Sequence, residues 1–247
     1  LVGARGRDLV ARIGDQRDQG RDIDRRPVAS DEIGLHFMAP ETTYRFSASA
    51  VAWPDGPAVA GTVTTSVVPE DLRTNLIVTG SATFPYVGTN HPCTRSAVAV
   101  VFDTVTGELV WYETLDPVGH LGLMDMVQFT EDHTVLGETE GKIVEVDLSG
   151  RVLLELVQGQ HYDSSLHHDL FKRNGQYYLL YQEAGIPILD SFLVLASAGS
   201  EIGRWRAADH LAIPDDALGD WMHTNTVWVD PAGDVYLSSL VQSAVLK

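Results

Sequence analysis

The chain has 247 residues, 44% of them hydrophobic, which is enough for one large β domain or two smaller ones. Its 34 acidic and 17 basic residues give a net charge of -17, a surface that repels phosphate backbones and disfavours a nucleic-acid partner. No apolar run is long enough to span a bilayer, and a single cysteine, Cys93, rules out an internal disulfide and any cysteine-based zinc site. The chain starts without Met or a signal peptide, so its N-terminus is expected to be processed or incomplete.

Residues 1–34 form an irregular Arg/Asp-rich segment. Seven Arg and five Asp fall in residues 1–30, while the whole chain has only three Lys. This is the composition of a docking arm or of a solvated tail. Within it, Asp8-Leu-Val-Ala-Arg-Ile13 fits a short helix or a strand. Residues 35–72 read as a partial β-sandwich-like module. Thr43 to Trp53 alternates large apolar with small or polar residues, Pro54-Asp-Gly-Pro57 supplies a turn, and Val59 to Val68 is a second β-branched run. Pro40-Glu-Thr-Thr-Tyr-Arg-Phe46 followed by Thr62-Val-Thr-Thr65 resembles the last strands of a fibronectin-III/Ig-like sandwich, and such a module implies a spacer or dimerisation unit. Next, Asn75-Leu-Ile-Val-Thr-Gly80 reads as a strand and Phe84 to Pro92 as an irregular loop. Cys93 fits a buried structural thiol, since nothing around it looks like a nucleophile motif.

From residue 95 a repeat of about 45 residues appears, the period of propeller blades. Ser96 to Phe102, a turn at Asp103 to Gly107, and Glu108 to Tyr112 form one copy of its closing phrase. Gly141 to Val146 with Arg151 to Glu155, and Phe192 to Leu195 with Glu201 to Trp205, form two more. The opening phrases are Met124 to Phe129 with Thr134 to Glu138, His168 to Phe171 with Tyr177 to Tyr181, and Asn225 to Val229 with Val235 to Leu237. Asn174-Gly175 is a strong hairpin turn because both residues tolerate positive φ. These phrases amount to two full blades, the end of one before them and the start of one after. Residues 73–247 are therefore expected to be part of an all-β propeller, because a closed ring needs roughly four to eight blades. The remaining blades are expected beyond this sequence or from a second chain.

The residues just before a blade's first strand sit at one mouth of the central channel. His167, His168 and Asp169 hold that place in one blade, and His223 and Asn225 hold it in the next. Two blades would thus bring several imidazoles together in a concave, partly dry site. The other candidates read as structural: His120 and His133 lie in loops, His210 on an edge connection, and Trp205, Trp221 and Trp228 at blade-packing places. There is no glycine-rich phosphate loop, Gly-x-Ser-x-Gly elbow or His-Glu-x-x-His motif.

Asp220-Trp-Met-His-Thr-Asn-Thr-Val227, then Leu237-Ser-Ser239 and Gln242-Ser-Ala-Val245, together with the His-His-Asp plus Asn-Gly hairpin, resembles the bacterial arylsulfate sulfotransferases. The resemblance runs through residues 35–247 in order. It implies a six-bladed propeller, about half of it in this chain, preceded by the small sandwich module. It also implies a periplasmic or secreted protein that needs no cofactor and no 3′-phosphoadenylyl sulfate. In such an enzyme a channel histidine takes the sulfuryl group from a small aryl sulfate donor and passes it to a phenolic acceptor. His223 and Asn225 match the family's sulfate-binding His-x-Asn, and His167 or His168 matches its other channel histidine. Asp169 falls beside them as a substrate-binding candidate. Two departures stand out. Leu240 replaces the family's sulfate-contacting Arg, and the family's sulfated histidine falls in a later blade, beyond Lys247. One alternative is therefore a non-catalytic propeller that binds a small anion or a protein. A weaker alternative is a metal-dependent hydrolase or lyase using His167, Asp169 and His223, although the arylsulfate reading assigns no metal. A homodimer, or a second chain completing the ring, is the expected protein partner.

Overall fold

The computed structural model describes residues 9–15, 36–50, 57–73, 76–81, 83–91, 97–116, 126–139, 141–162, 165–185 and 187–247. Cys93, His120 and the Pro54–Gly56 turn lie outside these residues, as does most of the Arg/Asp-rich start. The described residues are almost all β. The chain divides into two compact units, Leu1–Val87 with Val101–Trp111, and Gly88–Val100 with Tyr112–Lys247.

In the first unit β1 (Leu9–Asp15), β2 (Thr43–Ala50) and β3 (Val59–Thr64) form an antiparallel sheet in that order. The stretch that fitted helix or strand is thus a strand, and the expected 43–68 hairpin is present with its second strand ending at Thr64. Its open end is closed by Thr65, whose hydroxyl donates to Ala39 O at 2.7 Å and accepts from Thr42 N at 3.0 Å. Two local expectations are corrected. Leu76 to Thr79 is not a strand: Leu76 N–H donates to Gly107 O at 2.9 Å, and Ile77 beside it is 89% exposed. Conversely, the stretch read as a loop contains β4 (Tyr86–Asn90), in a sheet of order β4-β5-β6 with β5 (Ala97–Asp103) and β6 (Leu109–Asp116). Gly88 hides the strand in the sequence. A Cβ there would lie 1.9 Å from the Phe129 ring, so the close approach requires glycine.

The second unit holds three further meanders. Four strands, β7 (Met126–Phe129), β8 (Thr134–Thr139), β9 (Lys142–Asp147) and β10 (Val152–Val157), form one sheet. Another four, β11 (Leu166–Arg173), β12 (Gln176–Glu183), β13 (Leu189–Leu195) and β14 (Glu201–Trp205), form the next, followed by the short helix α1 (Ala207–His210). The third has β15 (Thr224–Val229), β16 (Val235–Ser239) and β17 (Ala244–Leu246). Each sheet is antiparallel with its strands in sequence order, and the first strands β7, β11 and β15 are neighbours from sheet to sheet. That is how propeller blades meet. The Asn174-Gly175 turn adopts φ of 51° and 70°, as its composition requires.

Strand periodicity explains the packing. On β12, Tyr177, Leu179 and Tyr181 enter one buried cluster with Leu136, Ile143 and Leu156 of the preceding sheet. Tyr178 and Leu180, between them, enter another with Val227, Val229 and Leu237 of the following sheet. A blade buried on both faces reads as a continuous apolar run, and Tyr177-Tyr-Leu-Leu-Tyr181 is one. Each such side chain contributes about 1.5–3 kcal/mol. Polar ties cross the same interfaces. Lys172 Nζ lies 2.7 Å from Glu145 Oε1 and 2.9 Å from Asp132 Oδ2, and Tyr177 donates to Glu145 Oε2 at 2.5 Å.

Candidate active site

Both strands that carry the histidines are irregular where the histidines sit. On β11, Leu166 pairs with Tyr181 and Leu170 with Leu179, so four steps along one strand match two along the other. On β15, Thr224 pairs with Ser239 and Thr226 with Ser238, which makes Asn225 the bulged residue. Successive side chains of a regular strand point to opposite faces. Here His168 has φ of 62°, and its ring lies 3.9 Å from that of His167, centroid to centroid. His223, just before β15, has φ of 47°. Bulges of this kind re-aim side chains and are frequent beside active sites. The His223 ring stands 5.2 Å from His168 and 5.6 Å from His167. One ring nitrogen from each of the three lies within 4.8 Å of the others.

Two carboxylates orient this cluster. Asp220 accepts the His223 amide on Oδ1 at 2.9 Å and meets His223 Nδ1 with Oδ2 at 2.6 Å. It thus fixes both the strained backbone and the ring. Asp190, fully buried on β13, accepts the Thr224 amide and lies 3.2 Å from His167 Nδ1. The His167 contact is close but off the line of a good hydrogen bond, and neither atom has another hydrogen-bond partner. The two groups form an electrostatic pair. Burial alone would raise the Asp190 carboxyl, but the His167 ring and the Thr224 amide outweigh it and hold the group below its ordinary range.

The loop that carries His223 is clamped from the far side. Met222 is fully buried, and its carbonyl accepts from Ser239 Oγ at 2.6 Å. Gln242 Nε2 donates to Trp221 O at 2.6 Å, and Leu240 N–H donates to His223 O at 3.0 Å. Ser239 and Gln242 of the second motif therefore hold the first motif in place. Leu240, bonded to His223 O through its amide, is 59% exposed.

The structure brings together His167, His168 and His223 from the two expected blades. Asn225 is the bulged residue two positions after His223, with an exposed side chain. Asp169 is 2% exposed, and its two oxygens take the amides of Leu170 and Val227, both at 2.8 Å. Burial pushes its carboxyl up to about 7, against the pull of those amides. It ties β11 to β15 and so positions the cluster. His133 lies exposed in a turn with φ of 60°, and His210 stacks on Trp205 at 5.4 Å. Asp190 and Asp220 carry no site role in the sequence reading. Asp220 stands three residues before His223, a capping spacing. Asp190 interrupts the apolar run Ile188 to Leu195, and a charge there needs a partner.

The family model described as Arylsulfotransferase (ASST) matches residues 65–247. The chain belongs to the arylsulfotransferase family. No curated protein matches it. Among solved structures, a protein of unknown function from Bacteroides caccae is similar over 94% of this chain and 83% of its own, at 11% identity and a TM-score of 0.44. For an arylsulfotransferase, three clustered imidazoles with carboxylates behind two of them are chemically apt. Imidazole is a nucleophile when neutral and, when protonated, a hydrogen-bond donor to sulfate oxygens.

Proposed function

We propose that the protein transfers a sulfuryl group from a phenolic sulfate ester to a phenolic acceptor, with the His167–His168–His223 cluster as the sulfate site. The convergence of three imidazoles from two successive blades carries this reading, and membership of the arylsulfotransferase family supports it. A neutral histidine nitrogen attacks sulfur, the S–O bond to the aryl group breaks, and the phenolate leaves. The acceptor phenol then attacks the same sulfur, the N–S bond breaks, and the acceptor's proton passes to the released base. Donors aimed at the sulfate oxygens stabilise both transition states. His223, with its Nδ1 against Asp220, presents Nε2 to substrate, and Asn225 supplies an amide at the rim. Asp169 and Asp190 act as positioning residues.

The test is release of nitrophenol from 4-nitrophenyl sulfate with a second phenol as acceptor. Wild type should form the acceptor's sulfate ester, and His223→Ala should lower the rate at least a hundredfold. Failure of the wild type to release nitrophenol above buffer overturns the proposal. One observation favours a second reading, an anion-binding propeller without turnover: Leu240 stands where the family resemblance expects the sulfate-contacting Arg. Saturable binding of the ester with no release would select that reading.

A further inference from the structure

Three imidazole nitrogens grouped around one point, two of the rings braced by carboxylates, make a donor set with a second use. We infer that His167, His168 and His223 form a site for a divalent zinc-class metal ion, with a fourth coordination position open to an oxygen ligand. Three nitrogens no more than 4.8 Å apart share a centre. That centre lies about 2.8 Å from each at most, so rings moving about 0.7 Å inward reach the zinc–imidazole distance of about 2.0–2.1 Å. Movement on that scale is within reach, because His168 is exposed and His223 is 35% exposed at its side chain.

The surroundings match those of metal-bound histidines. Such a ligand usually gives its other ring nitrogen to a carboxylate, which fixes the tautomer and the ring plane. His223 Nδ1 is on Asp220 at 2.6 Å, and His167 Nδ1 is 3.2 Å from Asp190. Both rings therefore keep Nε2 for a ligand. Asp169 is not a fourth donor, since its oxygens already take the Leu170 and Val227 amides. Imidazole-only sites suit zinc, copper, nickel and iron over magnesium and calcium. Two nearby carboxylates offset the charge of a dication, and the exposed His168 ring gives the ion a way in. The metal site does not rest on the transfer reading.

The experiment strips the purified protein with a chelator and titrates it with zinc by calorimetry, and with cobalt(II) by visible absorption. One equivalent should bind with micromolar affinity or better, and cobalt should give the intense bands of a low-coordinate nitrogen site. His168→Ala and His223→Ala should each weaken binding at least tenfold. Asp220→Asn, which keeps the three rings, should weaken it about 10–100-fold. His133→Asn, in an exposed turn, should change nothing. Absence of stoichiometric binding by the wild type overturns the inference, and so does equal loss in His133→Asn. Nitrophenol release is assayed on stripped and loaded protein alike. Activity without metal binding defeats this inference alone, and metal binding without activity in either form defeats the transfer reading alone.

Discussion

Asp190 offers the sharpest test of how the site is held. It is fully buried, and its carboxylate serves both the Thr224 amide and the His167 ring. Asp190→Ala removes the carboxylate that faces His167 Nδ1 and leaves the Thr224 N–H buried without an acceptor. Each effect costs about 1–3 kcal/mol, so the expected loss is about 3 kcal/mol. Asp190→Asn keeps an oxygen for Thr224 but turns an NH2 group toward His167 Nδ1. The fold should lose only about 1 kcal/mol, while the His167 tautomer reverses and its Nε2 becomes protonated. Urea denaturation at pH 7 measures the first effect, and nitrogen chemical shifts of the imidazoles measure the second. The sign with pH is fixed as well. The Asp190 carboxyl is held below its ordinary value of about 3.9. Its stabilisation is complete above that value and is lost as pH falls through the lower folded value. The gap between wild type and Asp190→Asn should close below about pH 4. A loss under about 0.5 kcal/mol for Asp190→Ala at pH 7 would refute the assignment, because that is the range of ordinary surface changes.

Asp169 should act with the opposite sign. Its folded carboxyl is pushed up to about 7, so between about pH 4 and pH 7 the unfolded chain gives up a proton that the folded chain keeps, and stability falls as pH rises through that window. Asp169→Asn should abolish this slope, and a difference between wild type and variant that stays flat from pH 4 to 8 would count against the burial argument. At Leu240 the side chain is exposed and its amide is bonded to His223 O, so a longer side chain fits without repacking. Leu240→Arg in metal-free protein should raise kcat/KM for 4-nitrophenyl sulfate by roughly 10²–10³, the value of one well-placed oxyanion donor. An unchanged kcat/KM would show that residue 240 does not face the sulfate.

Much of the blade pattern was legible in the chain because it is local. Asn174-Gly175 states its own turn, and Tyr177-Tyr-Leu-Leu-Tyr181 states a strand buried on both faces. The histidines were legible as candidates because each opens a blade. What pairs them was not legible. Asp190 reaches His167 from a strand two places along the sheet, and no spacing rule connects the two residues. The bulges were hidden too, since they are defined by a mismatch between two strands. His168 and His223 in left-handed backbone give no compositional sign, whereas a glycine there would have given one. The misreading of Leu76 to Thr79 and of Tyr86 to Asn90 has one cause: strand propensity reports a fit to a pleated surface, and only the neighbours decide whether that surface exists.

The site draws two imidazoles from the β11–β14 sheet and one from the loop that opens the β15–β17 sheet. A ligand held by all three is therefore a rivet between adjacent blades. Its binding energy adds to the cohesion of two sheets that otherwise meet through side-chain packing and a few hydrogen bonds such as Asp169 to Val227. Local opening of the third sheet would have to expel the ligand first. The population of that open form should fall by the factor 1 + [L]/Kd, so occupancy of the histidine site would be written into the rigidity of the neighbouring blade.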